Sequence, residues 1–158
     1  MLLYKRGDNI NIYDEWKQEI DRQYKMVSES KCEYNGNFID SIGYINFTGS
    51  NSKTVHINGL DNNQIIYILE GCGHYTIDNV KFKALQGDII IIPKNTPHKY
   101  NYNNFDNTIV YFIHFKGKEF DYLLSSAPFQ PCHHIGLQNK ICERFSDILF
   151  TLQSKQLL

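Results

Sequence analysis

The chain is short of methionine and tryptophan, with two and one respectively in 158 residues, and contains little alanine. That shortage argues against a helical bundle, which draws on strong helix formers. It also lacks an excess of either charge: 16 basic side chains meet 17 acidic ones, for a formal net charge of −1. Without a basic surplus there is no broad footprint for a nucleic-acid backbone, and the chain is not expected to bind DNA by itself. No apolar run nears the roughly 20 residues that a membrane-spanning helix requires. The longest, residues 89–93, is bounded by Asp88 and Lys94, so no membrane role is expected. Cys32, Cys72, Cys132 and Cys142 are widely separated, without a Cys-x-x-Cys pair, and charged residues follow Met1-Leu2-Leu3 with no secretory leader pattern. Free thiols in a cytoplasmic protein are the expectation.

What is present is aromatic: 11 Tyr and 10 Phe, side chains suited to half-buried pleated surfaces. Strand-like patterning marks eight short segments, over residues 42–47, 54–57, 64–69, 74–77, 80–85, 88–92, 98–102 and 108–115. So many short strands in close succession imply a mainly β sandwich or barrel. Glu70-Gly71-Cys72-Gly73, Asp78-Asn79 and Gln86-Gly87-Asp88 supply the reversals, with Asp78-Asn79 fitting a two-residue hairpin loop. Ile89-Ile90-Ile91-Ile92 does not alternate, which predicts a strand covered on both faces.

Residues 1–35 read as an N-terminal arm with a short helix over 13–20, its apolar positions Trp16, Ile20 and Tyr24 recurring every four residues. Residues 36–117 read as the barrel, and 118–158 as a helical region with helices over 118–124 and 137–152. In the second helix Ile141, Phe145, Ile148, Leu149 and Leu152 form one stripe, with Lys140, Glu143, Arg144 and Asp147 on the other side. Such a stripe is buried either on the chain's own barrel or in a helix–helix dimer seam, and the sequence is compatible with both.

The chemistry concentrates near Gly87-x5-Pro93-x4-His98. Gly87 permits a tight turn, Pro93 and Pro97 stiffen the loop, and His98 opens a strand in which His98, Tyr100 and Tyr102 share a face. On the last strand Val110, Phe112 and His114 share another. If both sets face inward, imidazoles and aromatic rings converge, a combination that holds a small polar ligand such as a sugar. No metal cofactor is expected: resemblance to metal-binding cupins implies a His-x-His pair before the strand at 64–69, Asn58 and Leu60 stand where that pair would fall, and only His56 is nearby. His133-His134 reads as a surface loop and His74 as an exposed residue without a role.

The Gly87-to-His98 pattern resembles the second conserved motif of cupins. Together with residues 67–75 and Tyr111-Phe112-Ile113-His114-Phe115-Lys116-Gly117, it resembles the ligand-binding domain of AraC-type transcription regulators over residues 38–153. The resemblance implies a cupin-like double-stranded β-helix, or jelly-roll, barrel followed by a C-terminal α-helix. It implies effector contacts at His56, Tyr100, Val110 and Phe112, to which alternation adds His98 and His114. It further implies a homodimer held by the helical stripe, and a sensing role without catalysis. Effector binding would shift populations of arm and helices to instruct a helix-turn-helix domain expected to lie outside this chain. His56 lacks the bidentate fork of the arginine found in the arabinose-responsive member, and Val110 offers no polar contact, so the effector is open. The alternative is a metal-dependent cupin isomerase or dioxygenase, motivated by His98 and His114.

Overall fold

A computed structural model of the chain describes residues 25–126 and 130–156, with side chains for 35–126 and 130–151. The helix expected over 13–20 and the Leu152 side chain lie outside the described residues. Among the described residues ten strands form two antiparallel sheets: β1 (Lys25–Tyr34), β2 (Asn37–Asn46), β3 (Ser52–His56), β4 (Asn63–Glu70), β5 (Cys72–Ile77), β6 (Val80–Leu85), β7 (Asp88–Ile92), β8 (His98–Tyr102), β9 (Ile109–Lys116) and β10 (Cys132–His134). One sheet runs β1-β2-β9-β4-β7-β10 and the other β3-β8-β5-β6. Helices α1 (Lys118–Ser125) and α2 (Asn139–Gln156) follow the barrel. The mainly β jelly roll followed by helix is therefore the observed architecture.

The eight segments all form strands. Asp78 and Asn79 sit at φ 45° and 67° between paired Ile77 and Val80, the two-residue hairpin that the sequence implied. Two strands were not expected. The arm contributes β1, which pairs with β2 through an Asn35-Gly36 turn at φ 50° and 78°, a strong hairpin signal that the polar strand before it obscured. Residues 132–134, read as loop, pair with β7 through Cys132, His133 and His134. His133 and His134 are nonetheless exposed, as is His74.

Strand β7 is covered on both sides, and for a definite reason. Ile90 and Ile92 point into the barrel with Ile66, Ile68, Tyr75, Ile77, Ala84, Tyr102 and Val110. Ile89 faces outward into a second cluster of Ile42, Tyr44, Tyr67, Leu69, Ile109 and Tyr111, closed by Cys142, Phe145 and Leu149 of α2. The helical stripe is thus occupied by the chain's own barrel. Phe145 stacks on Tyr111 at 4.7 Å and 11°, Leu149 is buried, and Ile141 and Ile148 pack at the margin. Phe145 and Leu149 are not open to a partner helix in this arrangement.

Tyr67 ties α2 down. Its hydroxyl donates to the Gly136 carbonyl at 2.8 Å and accepts from the Gln138 N–H at 2.9 Å. Tyr67→Phe leaves two backbone groups unpaired near the core. It is expected to cost about 1–3 kcal/mol, read as a lower urea midpoint with an unchanged slope and an intact far-ultraviolet spectrum.

Candidate functional site

The inward side chains change character along the barrel. One end is filled with apolar and phenolic groups: Tyr75 and Tyr102 hydroxyls meet at 2.6 Å, and burial pushes both phenols well above their ordinary range. The other end is polar. Register places His56 opposite His98 and Gln64 opposite His114, so neighbouring strands of both sheets deliver three imidazoles and a carboxamide to one mouth.

The loop before β8 sets His98. Gly59, at φ +72°, lets the β3–β4 connection lie against this loop; a Cβ there would come within 2.4 Å of the Thr96 nitrogen. The Asn95 N–H donates to the Leu60 carbonyl at 2.6 Å across the same contact. His98 Nδ1 donates to the Thr96 carbonyl at 2.8 Å, which leaves Nε2 as an acceptor for the Gln64 amide at 3.3 Å. Burial lowers the His98 pKa, the Thr96 carbonyl opposes that, and His56 adds to it. The His56 and His98 rings lie 4.9 Å apart. His114 is pushed down to about 4, chiefly by burial; Asp40 pulls the other way while His56 and His98 reinforce the fall. His98 and His114 therefore present neutral imidazoles near pH 7.

Aromatic rings line the next level. Tyr100 lies parallel to His98 at 6.2 Å and 5°, and Phe112 meets His114 edge-on at 5.7 Å. At the rim, Asp40 accepts from the Asn62 amide at 3.1 Å and lies 3.6 Å from Lys116, which pairs with Asp61 at 2.8 Å. The Asn62 Oδ1 is buried without a hydrogen-bond partner. Next to Gln64, buried Asn63 donates to Asp121 at 3.0 Å and accepts from the Lys94 N–H at 2.9 Å. These bonds anchor α1 and fix the start of β4.

Of the six side chains expected to contact an effector, His56, His98 and His114 come together, with Tyr100 and Phe112 beside them. Val110 does not join them. It lies two rungs deeper on β9, 2% exposed among Ile68 and its neighbours, because alternation puts it on the same face but at the apolar end. Sequence reasoning missed Gln64, Asp40 and Asn62. Gln64 had a signal: it shares the inward face with Ile66 and Ile68, where a polar residue needs a partner.

Imidazole is a good ligand for transition metals, but these side chains are not gathered to hold one. A carboxamide stands among the imidazoles in place of a carboxylate, and both His98 nitrogens are engaged. Among the described residues no three His, Cys, Asp or Glu side chains are grouped to hold a metal ion. Among the described residues, too, no helix is long and apolar enough to cross a membrane.

Comparison with known proteins bears on this barrel. The Cupin domain family model matches residues 49–115. A segment of 48 residues is 50% identical to an uncharacterized protein of Methanocaldococcus jannaschii, MJ1618, covering 30% of this chain and 38% of that protein. The match thus spans well under half of its curated relative. Similar solved structures include the Schizosaccharomyces pombe Cnp3 cupin domain, 12% identical over 68% of this chain and 74% of that one, with a TM-score of 0.44. Another is protein NMB1881 of Neisseria meningitidis, 15% identical over 69% and 100%, also at 0.44. A third is an RmlC-like cupin of Shewanella frigidimarina, 18% identical over 63% and 90%, at 0.41. The family match falls on the centre of the two-sheet barrel, so residues 49–115 are similar to cupin domains in both sequence and architecture.

Proposed function

We propose that the barrel mouth binds a small uncharged polyol or sugar, and that this is the effector-sensing step of an AraC-type regulator. The observation that carries the binding reading is the convergence of His56, His98, His114 and Gln64 over an aromatic level. The imidazoles and an amide offer directional donors and acceptors to hydroxyl groups, and Tyr100 and Phe112 offer faces to the apolar side of a sugar ring. The regulator reading rests on the motif series from Tyr67 to Gly117. In it the protein is a cytoplasmic homodimer that performs no catalysis and transmits occupancy to a helix-turn-helix unit. With Phe145 and Leu149 committed to the barrel, a dimer contact in this reading uses other surfaces.

Calorimetric titration of the full chain against a panel of sugars and polyols tests the binding reading. Gln64→Ala is expected to weaken the best ligand by roughly tenfold, the worth of about one well-made hydrogen bond. If no panel member binds while elemental analysis finds stoichiometric transition metal, the barrel is instead a metal-dependent enzyme.

A further inference from the structure

The outer face of the four-stranded sheet plays no part in the site described above. Its strands, β3, β5, β6 and β8, contain Lys53, Lys81, Lys83 and Lys99 and not one aspartate or glutamate. All four lysines occupy outward positions, and register aligns them in two rows across the sheet. One row is Lys53, Asn101, His74 and Lys83; the other is Val55, Lys99, Thr76 and Lys81. Strand spacing confines them to a patch about 14 Å by 7 Å at the backbone. In a chain of net charge −1, this is a segregation of charge and not a reflection of composition.

Lys94 and Lys116 pair with carboxylates, but none of these four lysines forms an ion pair with a described residue. Lys83 touches the Cys72 thiol. Asp78 lies in the hairpin turn at one end of this sheet, and Asp106 lies beside Cys72 at the other. Lysines on β3 and β6 also guard exposed sheet edges. Lys99 stands on a central strand, where no edge needs guarding, and like charges on one sheet face cost stability. Between the rows lies an open depression of about 220 Å³ bordered by Lys53, His74, Thr76, Lys99 and Asn101.

We propose that this face is an anion site for a small molecule bearing a di- or triphosphate group. The phosphates sit between Lys53 and Lys99, with Thr76 and Asn101 donating hydrogen bonds and Lys81 and Lys83 adding field. Charge complementarity calls for an anion, and the depression between the rows gives a small one a seat. Nucleic acid is the weaker fit: the face projects no helix or ribbon into a groove. Its one exposed ring is the imidazole of His74, a poor platform for successive bases, since Tyr100 packs inward against Tyr75 at 5.4 Å.

Titration of the full chain with inorganic triphosphate, followed by amide shifts and calorimetry, is the test. Shifts should localise to Lys53, His74, Thr76, Lys99 and Asn101, and affinity should fall as salt rises. The double variant Lys53→Glu/Lys99→Glu should weaken binding by roughly tenfold or more, with Lys53→Gln/Lys99→Gln as a milder pair should charge reversal disturb folding. Lys140→Glu, on exposed α2 surface, should change nothing. Absence of binding, shifts scattered over the surface, or an equal loss in Lys140→Glu overturns the proposal. So does a single-stranded oligothymidylate that binds this face more tightly than triphosphate, which would make it a nucleic-acid surface.

Discussion

Phe145→Ala should lower the unfolding free energy by about 3–5 kcal/mol, the range for truncating a buried aromatic side chain. Phe145 is 8% exposed, and its ring lies flat on Tyr111 in the cluster that includes Tyr44, Leu69 and Leu149. Removing it opens a void between α2 and the six-stranded sheet, and the neighbouring strands are too firmly paired to collapse into it. Urea denaturation measures the loss, and light scattering on the same samples measures mass. Lower stability at unchanged mass places the stripe inside one chain. A variant that keeps its stability but changes mass would instead make the stripe an intermolecular seam.

Acid should destabilise the protein well before its carboxylates protonate. His114 is neutral when folded down to about pH 4, whereas in the unfolded chain it takes a proton near 6.5. Between those values the unfolded state holds the extra proton, so stability falls as pH drops through the window and levels off below about 4. The expected loss is about 3 kcal/mol, and buried His98, also shifted down, adds to it. Asp61 and Asp121 are held below the ordinary carboxylate value by Lys116 and Lys94 respectively. What they contribute disappears only at lower pH, so the window above about 4 belongs to the histidines. His114→Gln should flatten the pH profile there. A histidine-114 resonance titrating near 6.5 in the folded protein would overturn the assignment.

Much of the barrel was legible because two-residue alternation is a local property. Each inward set, such as His98, Tyr100 and Tyr102 or Val110, Phe112 and His114, could be read without knowing any partner strand. Turn chemistry was equally local at Asp78-Asn79 and Gly87. Strand β1 escaped notice because its stretch is polar and pairs only at the sheet's edge, and β10 because three residues carry no period. Neither gains its structure until β2 or β7 is present to pair with.

The sequence by itself determined the β class, the eight central strands, the inward sets that include His98 and His114, and the apolar stripe of the last helix. Each follows from side-chain period and turn residues within a short window. Tertiary structure decided what those faces meet. It set the depth of each rung, leaving Val110 in the apolar end and His114 at the mouth. It brought Gln64 from another strand onto His98, and it turned the stripe of α2 onto Tyr111. It also gathered four lysines from three separate strands onto one face of a nearly neutral chain. Register between distant strands governs all of these, and the local sequence carries no record of which strand lies alongside which.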